Sequence, residues 1–398
     1  ALGLGISAYY PYTDMYTIRN VNDEASFVFN RKGNKDLTWE KTQNVNVGVE
    51  FDIAGIVEGE VDYFNRLTSD MLFLRSTALS QGYASIPVND GKMRNAGVEF
   101  SLTAHAVKTK DVSLDIRLNG SHYKNSIVEL PMDGESGNRM DFYQYTSRFT
   151  WVKGGSIYDF YIPTYKGVDP ETGYALYKTL NAVDAAGNVL QENVTDVELY
   201  KKNHKSEQYS LVEGTPTSDW TKAASDFVGK SATPKLTGGF GFDLRVKDFS
   251  LSTTFTYSLG GYAYDYVYAR LMGDGELGTH NWHKDMENRW SKAGDVTDVP
   301  ALTNGTKFGK YANARSTRFL TKRNYLQLSN IRLAYNFPES LTSRLGGMHG
   351  AQIYATGENL FLLSARKGFM PGTTSDGMTS DTQYLPSSSF TVGLKFNF

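Results

Sequence analysis

Asn44-Val45-Asn46-Val47-Gly48-Val49-Glu50-Phe51-Asp52-Ile53, a break at Ala54-Gly55, and then Val57-Glu58-Gly59-Glu60-Val61-Asp62-Tyr63 decide the fold of this chain. In the first segment Val45, Val47, Val49, Phe51 and Ile53 share one face, while Asn44, Asn46, Gly48, Glu50 and Asp52 share the other. In the return segment Val57, Gly59, Val61 and Tyr63 alternate with Glu58, Glu60 and Asp62. A period of two means strand, because successive side chains of an extended chain point to opposite faces. The tight break between them makes the pair a hairpin.

The pattern recurs along the chain. Val98, Phe100, Leu102 and Ala104 alternate with Glu99, Ser101, Thr103 and His105, and Val112, Leu114, Ile116 and Leu118 with Ser113, Asp115, Arg117 and Asn119. Phe240, Phe242, Leu244 and Val246 alternate with Gly241, Asp243, Arg245 and Lys247, and Phe249, Leu251, Phe255 and Tyr257 return. Ile331, Leu333, Tyr335 and Phe337, then Ala351, Ile353 and Ala355, lead to the last segment. Each segment is roughly 9–12 residues long, the length a tilted strand needs to cross a bilayer. Stretches with a 3.6-residue apolar stripe are nearly absent, so the chain reads as all-β.

A soluble sandwich and a water-filled barrel both tolerate charge on the polar face, so periodicity alone does not separate them. Loop lengths do. Short turns at Ala54-Gly55, Val107 to Asp111, Lys247-Asp248 and Pro338 to Met348 alternate with long, aromatic-rich connections near 180–235 and 261–323. Such sorting marks an outer-membrane barrel, with short periplasmic turns and long extracellular loops. The C-terminus adds to it: Phe390, Val392, Leu394, Phe396 and Phe398 alternate with polar or small residues up to a terminal aromatic. A terminal aromatic on an alternating strand resembles the signal read by the assembly machinery of bacterial outer-membrane barrels.

Composition excludes several classes. The 398 residues carry a net charge of -2, so no basic patch points to nucleic acid or an anionic membrane surface. There is no cysteine, hence no disulfide framework, thiolate metal site or thiol nucleophile. No apolar run of roughly 18 residues reads as a membrane helix. The chain opens Ala1-Leu2-Gly3-Leu4-Gly5 without a basic n-region, which predicts a processed end or the interior of a larger protein.

No catalytic constellation emerges, and no cofactor or metal is expected. There is neither a Gly-x-Ser-x-Gly elbow nor His-Glu-x-x-His, and Gly3-Leu4-Gly5 lacks the third glycine of a nucleotide loop. His280-Asn281-Trp282-His283-Lys284-Asp285 has the spacing of a metal site but places Lys284 among the donors. Asp133-Gly134-Glu135 and Asp274-Gly275-Glu276 read as solvated loop tips. Within Tyr262-Ala263-Tyr264-Asp265-Tyr266-Val267-Tyr268, the rings of Tyr262, Tyr264 and Tyr266, with Trp282, are candidates for a surface facing substrate or a lid. The competing reading has them pad the loop against the barrel rim.

Several segments carry a family resemblance. Leu37-Thr38-Trp39-Glu40-Lys41-Thr42 leading into Asn46 to Phe51, Val61 to Asp70, Asn89 to Glu99 and Tyr165 to Gly173 resemble hallmarks of SusC-type TonB-dependent outer-membrane transporters. Asn288-Arg289-Trp290, Tyr325 to Pro338, Gly357-Glu358-Asn359-Leu360-Phe361 and the last strand continue the series in the family's order. The resemblance is to the C-terminal part of the barrel and implies a barrel of about 22 strands. Roughly ten to twelve of them fall in this chain. The plug domain, its TonB-contacting segment and the first barrel strands have no counterpart.

The resemblance also implies a function. It predicts part of an active importer powered through TonB, with a SusD-like surface lipoprotein as lid and two such pairs associating. Oligosaccharides are the expected substrates and oligopeptides the alternative. A self-contained small porin, a soluble β-sandwich and an outer-membrane enzyme are the competing classes.

Overall fold

The computed structural model describes residues 10–134, 136–273, 281–302, 309–342, 349–370, 372, 374–380 and 385–398. Nine strands form one antiparallel sheet: β1 (Lys41–Ile53), β2 (Val57–Ser76), β3 (Ser85–Lys108), β4 (Val112–Glu129), β5 (Leu236–Val246), β6 (Phe249–Leu259), β7 (Tyr325–Phe337), β8 (Gly350–Ser364) and β9 (Ser389–Asn397). Each pairs with its neighbours in chain order, the up-and-down pattern of a barrel wall. A separate hairpin, Met15–Val21 with Glu24–Arg31, stands before β1. Strands β1 and β9 each have a single partner in this sheet.

The hairpin of β1 and β2 has the register the alternation demands, Val49 opposite Val61 and Glu50 opposite Glu60. Its turn holds Ala54 and Gly55 at positive φ, the primed geometry whose twist matches the flanking strands. The Asp52 carboxylate accepts from the Gly55 N–H at 2.7 Å. Neighbouring turns at this end are tied together: the Lys247 N–H donates to the Asp111 carbonyl (2.6 Å) and Asn336 N–H to that of Asp248 (2.9 Å). At the opposite end three of the four connections are long. They run over residues 130–235, 260–324 and 365–388, while the fourth, 77–84 between β2 and β3, is short. The first begins some fifty residues before the reading from sequence placed it (about 180), because its own short strands imitate the period of the wall. The third had not been singled out.

Burial is inverted relative to a sandwich. Outward positions of the sheet stay open, with Val47 and Val49 at 63%, Phe390 at 79% and Val392 at 74% exposure. No second sheet covers them among the described residues. Apolar side chains in such a band face hydrocarbon. The buried core lies instead in the loops. Phe149, Phe160 and Ile162 from the first connection pack with Tyr264, Met272, Met286 and Phe319 from the second. A second cluster joins the upper ends of β2 to β4 (Met71, Phe73, Val88, Met93, Ile127) to Trp151 and Ile157 of the first connection. Each fully buried ring contributes about 1.5–3 kcal/mol, so the connections are packed bodies rather than slack chain.

One row of the wall is filled by aromatic rings lying over glycines. Phe100, Gly120, Gly238 and Tyr257 stand side by side across β3 to β6. The Tyr257 hydroxyl reaches the Asn119 carbonyl at 2.9 Å. A Cβ at Gly238 would sit 2.1 Å from the Asn119 carbonyl oxygen and 2.8 Å from the Tyr257 hydroxyl. Gly238→Val is therefore expected to cost about 1–3 kcal/mol of overpacking. The fraction of folded, heat-modifiable barrel in isolated outer membranes should fall several-fold. An unchanged fraction would show that the row can spread.

Candidate functional site

The polar face of the sheet changes character along the strand order. On β1 to β3 it is acidic: Glu50 stands opposite Glu60, Asp52 opposite Glu58 and Asp62 opposite Glu99. Opposed like charges destabilise a sheet, so this face is hydrated. From β3 onward charges are matched. His105 Nδ1 lies 2.7 Å from Asp115, with Glu58 3.9 Å from Nε2. Arg117 pairs with Asp243 at 2.9 Å, and Ser252 donates to the same carboxylate. Arg332 donates to Gln352 (2.8 Å) and its guanidinium lies 4.6 Å from the Tyr354 ring centroid. No serine or threonine hydroxyl meets His105 among the described residues, so the His–Asp pair lacks a nucleophile. The arrangement suits the wall of a wet passage.

The loop assembly above this wall is tied by a buried charge. Asp265, 1% exposed, caps α1 (Tyr266–Leu271) by accepting from the Tyr268 N–H at 3.1 Å. It also accepts from Arg366 and from the Thr379 hydroxyl, which pins the 365–388 connection to the 260–324 connection. The Arg366 guanidinium lies 4.4 Å over the Tyr268 ring. Burial, helped by the hydrogen bond to Asp285, pushes the Tyr268 hydroxyl up to about 12. Arg323 threads between the loops, donating to the carbonyls of Ala232, Ser375 and Thr374.

Two of the sequence motifs meet here. Trp290 lies over Gly173, where a Cβ would fall 2.4 Å from the indole, and its Nε1 donates to the Pro170 carbonyl at 2.8 Å. Asp169 closes the turn by accepting from the Glu171 N–H (2.9 Å) and the Thr172 hydroxyl (2.8 Å). These bonds hold its carboxyl below the usual range. Its carboxylate thus serves the turn.

The sequence candidates are placed as follows. Tyr264 is 3% exposed and belongs to the loop core, where the Arg148 guanidinium covers its ring at 4.7 Å. Tyr262 and Trp282 are half-buried and pack against the same core; Lys230 lies over the Tyr262 ring. Tyr266 alone of the four is open to solvent. Packing thus claims most of these rings. Trp39, in the irregular segment just before β1, is 90% exposed, as a ring at the bilayer interface would be. His122 Nδ1 contacts the Lys235 carbonyl. His283 Nδ1 accepts from the Asp285 N–H at 3.2 Å. His280, Asp274-Gly275-Glu276, Glu135 and Gly3-Leu4-Gly5 lie outside the described residues. Among the described residues no group of His, Asp and Glu gathers as a metal site. Phe390, Val392, Leu394 and Phe396 all lie on the exposed outward face of β9, and Phe398 follows it.

A family model described as TonB dependent receptor-like, β-barrel matches residues 6–360. The chain belongs to this family. Such proteins are outer-membrane β-barrels, and the curated relatives are receptors rather than enzymes. TonB-dependent receptor P3 of Formosa agariphila is 25% identical over 97% of this chain and 37% of its own length. TonB-dependent receptor SusC of Bacteroides thetaiotaomicron is 24% identical over 98% of this chain and 34% of its own. Among solved structures, the RagAB peptide transporter superimposes with a TM-score of 0.75 at 26% identity, over 98% of this chain and 39% of that one. This TonB-dependent barrel chain therefore spans little more than a third of the relatives it matches, and the likeness to SusC is continuous along it.

Two outcomes follow. Asp265→Asn leaves the half-buried Arg366 without its counter-charge, a loss of no more than the about 3–5 kcal/mol of a fully buried pair. Limited proteolysis of the membrane-embedded protein should then cut the 365–388 connection much faster; an unchanged rate would show the ion pair to be idle. Asp169 stabilises its turn above the ordinary carboxylate pKa of about 4, and this is lost as pH falls through its lowered value. Amide exchange at 169–173, corrected for intrinsic rate, should therefore rise between pH 7 and about pH 3, and rise less in Asp169→Asn.

Proposed function

We propose that this chain is the C-terminal wall of an active outer-membrane importer of oligomeric nutrients. The observation that carries the reading is the whole-chain likeness to SusC and to the RagAB transporter, together with a hydrated polar face and two sheet edges that need further strands. Unpaired edges in hydrocarbon cost several kcal/mol per group, so the rest of a barrel flanks β1 and β9. On this reading TonB acts through a plug carried by the rest of the protein, and the long loops face outward. A SusD-like lipoprotein covers them as lid, two such pairs associate, and Tyr266 is the ring open to the lid or substrate. Phe390, Val392, Leu394, Phe396 and Phe398 act as the assembly signal.

Oligosaccharides are the substrate class that the SusC likeness favours. An oligopeptide substrate is the second reading, supported by the likeness to the RagAB peptide transporter.

The test is purification of the native complex in detergent, with peptide sequencing of every component and mass spectrometry of released ligand. The expected outcome is a polypeptide more than twice this length, a co-purifying lipoprotein, and an oligomeric sugar or peptide. A barrel of 44.3 kDa that folds alone, without partner, would replace the importer by a small porin. Deleting Phe398 should reduce the folded barrel in the membrane; an unaltered amount would remove the assembly role.

A further inference from the structure

Three arginines of the described residues are matched to carboxylates. Arg117 meets Asp243, Arg139 meets Asp90 and Glu129, and Arg366 meets Asp265. Arg148 and Arg315 differ. Neither guanidinium has an ion pair or a hydrogen bond with any described residue, and the Nε of each is shielded from solvent without a partner. Each instead lies over an aromatic ring, Arg148 over Tyr264 at 4.7 Å and Arg315 over Trp220 at 5.2 Å. Trp220 is itself fixed by its Nε1 donating to the Arg315 carbonyl at 2.9 Å.

Both arginines are held against one segment, where the Tyr161 N–H donates to the Arg148 carbonyl (2.8 Å) and the Tyr165 N–H to the hydroxyl of Thr317, two residues beyond Arg315 (3.0 Å). Burial lowers the Arg315 pKa, and repulsion from Arg148 lowers it further. Two partly dehydrated like charges with no carboxylate partner among the described residues raise the energy of the loop assembly, and an anion between them would relieve it. Stacking on a ring fixes the plane of a guanidinium while leaving its terminal nitrogens free, and that fork matches the two oxygens of a carboxylate.

We infer that Arg148 and Arg315 form a recognition site for a carboxylate carried by the imported oligomer. The inference rests on the importer reading and deepens it: the substrate is acidic. The carboxylate belongs either to a uronate of an oligosaccharide or to an acidic peptide, and the probes separate these sources.

The experiment uses the complete transporter complex, wild type and R148Q/R315Q, purified in detergent. Affinity is measured for tetragalacturonate against neutral tetragalactose, and for Ala-Glu-Ala-Glu-Ala-amide against Ala-Gln-Ala-Gln-Ala-amide. The expected result is that one acidic probe binds wild type and binds the double variant at least tenfold more weakly, with neutral probes unaltered. If the double variant does not assemble, R148K/R315K keeps both charges but loses the fork, and should weaken the acidic probe by threefold or more. Absence of acidic-probe binding to wild type, or an equal loss for acidic and neutral probes, overturns the proposal. Uptake of neutral oligomers by cells with such a result would leave the importer reading standing; absence of all uptake would remove that too.

Discussion

The lateral hydrogen-bond ladder governs everything else in this chain. In hydrocarbon no water is available to a backbone N–H or carbonyl, so each must be paired by the adjacent strand. That requirement sets nine neighbouring strands in strict sequence order, keeps the turns of one end tight, and forbids free edges. It also frees the side chains. With the ladder holding the wall, outward positions need only be apolar and inward positions only be wettable, which is why Val49 and Glu50 can follow one another.

Close packing is therefore displaced to the long connections. There the chain behaves as a soluble protein does, with buried rings, capped helices and a buried Asp265–Arg366 pair. The two regimes meet where β2 to β4 rise out of the wall, and Phe73, Trp151 and Ile157 form a core between strand ends and loop. A barrel of this family needs a rigid frame and a shaped mouth, and here two different forces supply them. Hydrogen bonding builds the frame, and apolar burial with charge pairing builds the mouth.

The aromatic loop residues show how the same side chain can read two ways. Tyr262, Tyr264 and Tyr266 alternate as a surface strand would, yet Tyr264 is sealed under Arg148 while Tyr266 remains open. Ring and cation are 116 residues apart (264 − 148), and no local pattern links them. The same holds for Gly173 and Trp290, whose motifs were each visible but whose mutual contact was not. Arg148 and Arg315 carried no signal at all, because their lack of a carboxylate partner among the described residues is not a property of their own stretches of chain.

The sequence by itself determined the wall: the alternating strands, their two faces, and the end at which the turns are short. It could do so because a strand's period of two is a local property, and pairing consecutive strands requires only the tight turn between them. Tertiary structure alone decided the mouth. Which rings are buried, where the first long connection begins, and which arginines meet a carboxylate all depend on segments a hundred or more residues apart meeting in space, and burial there is a property of the assembled loops rather than of any stretch of chain.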